Sequence, residues 1–242
     1  MNNNEVKLSK RTLEILKNLG TIHSHLFVPV GNKISTISPA KNIVAITNIP
    51  ENFPVEFGIF DMQMLLGAFS LFENLKIELN DNFMTITEEG GAKGTPTIKF
   101  YYAALNTLTS IPSKEPSFPT EDNITFNLTN TDIEKIKRAS TTLGHNTVVF
   151  SNKNGKLKVM VINVDKSGFA SKTLKNSFSF DLCDTGIDDE CSAIILIENL
   201  KLLKSDYKVT ICPQYISKFS SVSDDITYYI ANVPKKLSEI GI

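Results

Sequence analysis

Leu8-Ser9-Lys10-Arg11-Thr12-Leu13-Glu14-Ile15-Leu16-Lys17-Asn18-Leu19 and Leu128-Thr129-Asn130-Thr131-Asp132-Ile133-Glu134-Lys135-Ile136-Lys137-Arg138-Ala139 are the two stretches on which the fold turns. They lie 120 positions apart, and Leu8, Ser9, Leu13, Leu16 and Lys17 meet Leu128, Thr129, Ile133, Ile136 and Lys137. In each, a hydroxyl that can accept an orphan N–H precedes apolar residues at helical spacing. The first predicts a helix over 10–19, with Leu13, Ile15, Leu16 and Leu19 on one face and Lys10, Arg11, Glu14, Lys17 and Asn18 on the other. The second, opened by Thr129 or Asn130, predicts 131–143, with Ile133, Ile136, Ala139 and Leu143 inward.

Two more helices follow the same plan. Asp61 can cap 62–71, whose apolar positions are Met62, Leu65, Leu66 and Phe69, and a shorter helix is expected over 198–204. Phe60-Asp61 and Leu65-Leu66 match Ile197-Glu198 and Leu202-Leu203. The remainder reads as short strands rich in β-branched and aromatic residues: 26–30, 42–46, 75–79, 83–87, 97–102, 147–150, 156–162, 178–182, 193–197, 207–211 and 226–231. Gly31-Asn32, Asn80-Asp81-Asn82 and Glu89-Gly90-Gly91 separate strands, and Asn154-Gly155 marks a hairpin. Each half therefore runs helix, strands, helix, strands. The Pro-rich Ile111-Pro112-Ser113-Lys114-Glu115-Pro116-Ser117-Phe118-Pro119 has no periodicity and suits an extended linker. The expected organisation is an N-terminal domain over 1–111, a linker over 112–122 and a C-terminal domain over 123–242.

Composition narrows the function. The 242 residues carry 25 basic and 26 acidic side chains, a net charge of −1, with 41% apolar and 21% charged residues, as in an ordinary globular protein. Near-neutrality argues against gripping nucleic acid over the whole surface, though not against a local basic stripe. Met1-Asn2-Asn3-Asn4-Glu5 has no basic flank before an apolar core, and the longest aliphatic run is Ala193-Ile194-Ile195-Leu196-Ile197. A cytosolic protein with no membrane partner is expected. Cys183, Cys191 and Cys212 form no CxxC pair and have no His nearby, so reduced thiols are expected and zinc is not.

Candidate chemistry is sparse. His23-Ser24-His25 offers two imidazoles without a third ligand. Gly90-Gly91-Ala92-Lys93-Gly94-Thr95 lacks the residue order of a phosphate loop. The acidic run Asp184, Asp188, Asp189 and Glu190 lacks EF-hand spacing. No nucleophile–base pair can be named, so neither an enzyme nor a cofactor is expected. The basic residues say more through position. Both arginines, Arg11 and Arg138, lie on polar helix faces with Lys10, Lys17, Lys135 and Lys137, while Lys201 and Lys204 sit one turn apart on the expected fourth helix. A solvated helix surface explains this better than DNA contact does, because Glu14 and Glu134 share the face.

Lys7-Leu8-Ser9-Lys10, continuing through Leu16-Lys17-Asn18 to Thr21-Ile22 and Ser24, resembles the start of the T-even-type bacteriophage sliding clamp, the DNA polymerase processivity factor. Phe60-Asp61, Leu65-Leu66-Gly67 and Ser70-Leu71 resemble that family's second helix, and the likeness continues more weakly over 129–143 and 197–209. The resemblance implies an α+β DNA-clamp fold: two similar domains, each with two helices packed on antiparallel sheet, and a homotrimeric ring around double-stranded DNA. It further implies that Lys10, Arg11, Lys17, Lys135, Lys137, Arg138, Lys201 and Lys204 face DNA. Ile111 and Phe118 would wall a groove for a partner peptide. The partners implied are the replicative DNA polymerase and the clamp loader, with late-transcription factors as a further candidate, in the cytoplasm of an infected bacterial host. The head Asn2-Asn3-Asn4 and the tail from Val233 to Ile242 depart from the family pattern, and the second helix offers Gln63 but no Lys or Arg. Three rivals stand beside this reading: the cellular trimeric clamp, a two-domain β-rich structural or assembly protein that never touches DNA, and an enzyme of unrecognised type.

Overall fold

Ser9 accepts the Thr12 N–H at 3.1 Å and so opens helix α1 (Lys10–Ile22), as its hydroxyl and position require. The computed structural model describes residues 4–90, 96–112, 114–118, 123–163, 176–188, 190–211 and 216–234. The chain divides into two compact units, Met1–Glu115 and Pro116–Ile242.

In the first unit β1 (Glu5–Val6) precedes α1, followed by β2 (Leu26–Val28), β3 (Gly31–Ile37), β4 (Ile43–Phe53), β5 (Phe57–Ile59) and helix α2 (Met62–Phe69). Strands β6 (Leu75–Leu79), β7 (Phe83–Glu88) and β8 (Thr97–Tyr101) complete it. β1-β6-β7-β8 form one antiparallel sheet, β3 pairs with β4, and β2 pairs with β5. α1 buries Ile15, Leu16, Leu19 and Ile22, while Leu13 is only half-buried; α2 buries Met62, Leu65, Leu66 and Phe69. Between helices and sheets a void of about 20 Å³ is lined by Leu16, Phe53, Phe57, Leu65, Phe69, Met84 and other apolar side chains. With no polar group to hold water it stays dry, and it is too small for a ligand.

The second unit holds β9 (Ile124–Leu128), α3 (Asn130–Leu143), β10 (Thr147–Lys153), β11 (Lys156–Ile162), β12 (Phe178–Asp184), β13 (Cys191–Leu196), β14 (Tyr207–Ile211), β15 (Ile216–Ser221) and β16 (Ile226–Ala231). One antiparallel sheet runs β12-β11-β10-β13, and β9, β14, β15 and β16 pair in that order in another. Thr129, not Asn130, caps α3 in a capping box with Asp132, and Gly144 ends it in the left-handed region at φ 65°. Ile133, Ile136 and Ala139 are buried, and α3 packs on β11. Asn154 (φ 51°) and Gly155 (φ 71°) make the two-residue turn between β10 and β11, the conformation the dipeptide favours.

The expected fourth helix is corrected. Residues 198–204 contain only a 3₁₀ turn, Ile197–Asn199, followed by irregular chain, so Lys201 and Lys204 do not share a helix face. The cause is tertiary. Leu200, Leu202 and Leu203 are all buried, and a helix would point Leu202 well away from Leu200. The backbone of Leu203 is taken by tyrosines instead: its N–H donates to the Tyr228 hydroxyl at 3.2 Å and its carbonyl accepts the Tyr207 O–H at 2.6 Å. Elsewhere α1 runs three residues past its expected end and α2 stops two short. Gly31-Asn32, read as a turn, instead opens β3 with a bulge. β1, β3, β5, β9 and β15 are outside the expected strands. Among the described residues no helix is long and apolar enough to cross a membrane.

Tyr228→Phe strands the buried Leu203 N–H without an acceptor. The variant should lose about 1–3 kcal/mol of stability, read as a lower urea midpoint, while an unchanged midpoint would show that the hydroxyl does not hold this segment.

Candidate nucleic-acid interface

α1 owes its seating to a carboxylate on β4. Glu51 Oε1 accepts the Ser9 N–H at 2.5 Å and Oε2 accepts the Thr12 O–H at 2.5 Å, which fastens the first helical turn to the sheet. Burial pushes the Glu51 carboxyl up, but the hydrogen bonds from Thr12 and Ser9 outweigh it and hold it below the usual range. Nothing local in the sequence marks Glu51, which lies 39 residues from its helical partner.

With the apolar stripe inward, the polar face of α1 stands in solvent. Lys10 and Lys17 are exposed, and Arg11 is half-buried and pairs with Glu14 at 2.5 Å, one turn away. On α3 Lys135 and Arg138 are exposed and Lys137 is half-buried. Lys135 pairs with Asp132 at 3.1 Å and lies 5.7 Å from the centre of the Phe180 ring. Burial alone would raise the Asp132 carboxyl, but the Thr129 hydroxyl and Lys135 together hold it low. Among the described residues Lys10, Lys17, Lys137 and Arg138 have no carboxylate partner. Each long helix thus presents two uncommitted cations beside one held in a surface pair, and such pairs contribute only about 0.3–0.5 kcal/mol. A phosphate could recruit the paired cations at little cost.

The other candidates fall elsewhere. Lys201 is half-buried. Lys204 is exposed and borders a cleft of about 320 Å³ with Asn130, Ser205, Asp206, Val222 and Ser223, next to the first turn of α3. Asp206 already accepts the Asn130 N–H there at 2.7 Å. α2 exposes Gln63, Met64 and Gly67 and no charge. Ile111 is 42% exposed and Phe118 is half-buried.

The remaining sequence candidates have structural explanations. Among the described residues no group of three His, Cys, Asp or Glu can hold a metal. In the acidic run, Glu190 pairs with Lys153 at 3.0 Å. The loop before it is pinned to Asn152, whose Nδ2–H donates to Ile187 O and whose Oδ1 accepts the Thr185 O–H, both at 2.7 Å. Asp189 lies outside the described residues, as do residues 91–95 of the glycine-rich segment, Cys212, and the termini at 1–3 and 235–242. Cys183, exposed at the end of β12, has its thiol pushed up by burial and then by Asp184, which makes it a poor nucleophile.

Residues 125–233 match the family model described as gp45 sliding clamp, C terminal. The sliding clamp of Vibrio phage KVP40 is 31% identical over 228 residues, covering 93% of this chain and 98% of that protein. This chain belongs to the sliding-clamp family. Its fold also matches the crystal structure of proliferating cellular nuclear antigen (PCNA) from Entamoeba histolytica, with a TM-score of 0.70 at 11% identity, covering 96% of this chain and all of that one. A structure of the C-terminal region of FEN-1 bound to A. fulgidus PCNA matches with a TM-score of 0.64 at 14% identity, covering 97% and 99% of the two chains. The clamp therefore has the α+β clamp fold, with the fourth helix reduced to a 3₁₀ turn. A sliding clamp is a processivity factor and not an enzyme, in keeping with the sequence reading.

Because Glu51 is held low, its contribution to the clamp's stability is complete above the ordinary carboxylate value of 4.5 and is lost as pH falls below it. Glu51→Gln should cost about 1 kcal/mol at pH 7, and the gap to wild type should shrink towards pH 3.5. A gap that is constant with pH would show that the charge of Glu51 plays no part.

Proposed function

We propose that three copies of the clamp close head to tail into a ring around double-stranded DNA and tether the replicative DNA polymerase to give processivity. The observation that carries this reading is the repeated pair of uncommitted cations, Lys10 and Lys17 on α1 and Lys137 and Arg138 on α3, in a chain of this family. Arg11, Lys135, Lys201 and Lys204 complete the proposed DNA-facing set. A ring is held by topology, so affinity need not come from many phosphate contacts. A few cations per domain, contacting phosphates and no base edges, attract DNA weakly and permit sliding. Near-neutral charge follows from that economy.

The two half-exposed sheet edges support head-to-tail closure. Among the described residues β8 of the first unit presents Lys99 and Tyr101 along an unpaired edge, and β12 of the second presents Asp181 and Asp184 along another. Opposite charges on two different edges favour a heterologous contact, which closes rings and removes both edges. The segment over 112–122 is proposed as the linker between domains, with Ile111 and Phe118 walling a groove for the polymerase's terminal peptide. The clamp loader and late-transcription factors would compete there, in the cytoplasm of an infected bacterial host.

Light scattering well above micromolar protein should report three times 26.8 kDa. A stable monomer would return the chain to the rival reading of a β-rich assembly protein. Lys99→Asp should weaken the trimer, and adding Asp181→Lys should restore it; absence of rescue would move the interface off these edges.

Reversing charge at Lys17 and Lys137 together should leave fold and trimer intact, since surface substitutions away from the buried stripe stay within about 0.5 kcal/mol. It should nonetheless block long DNA synthesis, most severely at low salt, where repulsion is least screened. Lys41 and Lys208, exposed on a turn and on β14, serve as the control pair. Equal behaviour of the two double variants in a processivity assay would sink the DNA-facing assignment.

A further inference from the structure

The chain leading into the proposed linker is seated on the first unit by a short series of contacts, one of them held by a histidine pair. Ala103 N–H donates to Gly58 O on β5 at 2.9 Å, and Ser110 O accepts the Ile37 N–H on β3 at 3.0 Å. Leu108 packs closely on Gly58: an added Cβ there would lie 2.8 Å from the terminal Leu108 Cδ1 and 3.0 Å from the Ala103 carbonyl oxygen, so the segment would have to shift to admit it. Between these contacts the Thr109 hydroxyl lies 3.1 Å from His23 Nε2 and 3.5 Å from His25 Nδ1. The backbone N–H of His25 donates to His23 Nδ1 at 2.8 Å.

Those contacts leave one consistent arrangement of protons. His23 Nδ1 accepts, so the neutral ring carries its proton on Nε2 and donates it to Thr109 Oγ1. The Thr109 proton is then free for His25 Nδ1, which places the His25 proton on Nε2. The cycle runs from His25 backbone to His23, from His23 to Thr109, and from Thr109 back to the His25 ring. It closes only while His23 is neutral: a proton on His23 Nδ1 would face the His25 N–H at 2.8 Å and drive the ring out of the position from which Nε2 reaches Thr109.

We propose that His23, Thr109 and His25 form a proton-operated latch that seats residues 103–111 at neutral pH and releases them when His23 is protonated. The surroundings favour the neutral state. His23 is 5% exposed at the C-terminal cap of α1, and burial, followed by the neighbouring imidazole, holds it below its ordinary value. The last turn of α1 carries no basic residue. On the side of α2, the Phe60 ring stacks 4.3 Å from His25, and Asp61 spends an oxygen on the Met64 N–H at 2.9 Å. Among the described residues no carboxylate contacts either imidazole. The buried Ser110 hydroxyl has no hydrogen-bond partner, which raises the cost of the seated state and makes release easier. With His23 below its ordinary value, the latch is complete above pH 6.5 and fails as pH falls through the lowered value.

The chain has three histidines, so ring-nitrogen spectra at pH 7.5 resolve the tautomers directly. His23 should be protonated on Nε2 and His25 bare on Nδ1. Amide exchange protection at Ala103, Leu108 and Ile37 should fall about tenfold between pH 7.5 and 5.5, after correction for intrinsic rates, while Ile77 and Ile86 stay protected. Thr109→Val should show the low protection already at pH 7.5 and no pH step. A His23 protonated on Nδ1, protection that does not change with pH, or a pH step surviving in Thr109→Val would each overturn the latch. Any effect on partner docking rests on the proposed linker groove and is read separately, as affinity for a polymerase tail peptide. An intact pH step with no peptide binding would remove the groove and leave the latch.

Discussion

Burial of Ile15, Leu16, Leu19 and Ile22 on α1, and of Ile133, Ile136 and Ala139 on α3, fixes the rotation of each long helix about its axis. Each large side chain removed from water contributes roughly 1.5–3 kcal/mol, whereas a surface cation contributes a few tenths. The apolar stripe therefore decides where Lys10, Lys17, Lys137 and Arg138 point, and the cations follow. Charge can change on these faces without loss of the fold, while loss of the stripe would free both helix and cations. Caps refine the same arrangement. Ser9 with Glu51 at one helix, and Thr129 with Asp132 at the other, satisfy first-turn N–H groups and set where each helix starts.

For the proposed ring, the same rotation would let a protein of net charge −1 serve DNA. Cations concentrated on two helix faces attract phosphate over a Debye length of about 8–10 Å without making the remaining surface basic. Pairing within the face moderates the attraction further: Arg11 is shared with Glu14 and Lys135 with Asp132. For the proposed ring this is an advantage. Tight, bidentate contacts would resist movement along the duplex, whereas exposed lysines exchange phosphates readily.

α1, α3 and the Asn154-Gly155 turn are legible in the sequence because their information is local: a cap, a period and a turn dipeptide. Capping and the repeat together place Lys10, Lys17, Lys137 and Arg138 on the polar faces from sequence alone. β9 was equally readable, since Ile124, Phe126 and Leu128 alternate inward, yet its position between linker and helix hid it. β3 and β5 were hidden by composition, one opening on Gly31-Asn32 and the other only three residues long. The misread helix over 198–204 and the unread contacts of Glu51 and Thr109 share another cause. Their deciding partners are distant in sequence: Tyr228 lies 25 residues from Leu203, and Thr109 lies 86 from His23. Periodicity cannot carry such information.

The two units also show that one task admits different chemistry. In the first, α2 covers the sheet with Met62, Leu65, Leu66 and Phe69; in the second, Leu200, Leu202 and Leu203 do so from irregular chain. A helix satisfies its interior backbone, so α2 takes an outside acceptor at its first turn, where Met62 N–H donates to Ser24 O at 2.8 Å. Its outer face is uncharged, with Met64 63% exposed and the flanking Phe60 and Leu71 57% and 73% exposed. Irregular chain cannot satisfy its own backbone, and it requires the hydroxyls of Tyr207 and Tyr228 to take the carbonyl and N–H of Leu203. That need ties the segment to the sheet beneath it and sets Lys204 beside the first turn of α3. The duplicated halves therefore carry unlike surfaces at matching places, neutral on one and basic on the other. The cause lies in how each half satisfies its backbone, before any demand of DNA is considered.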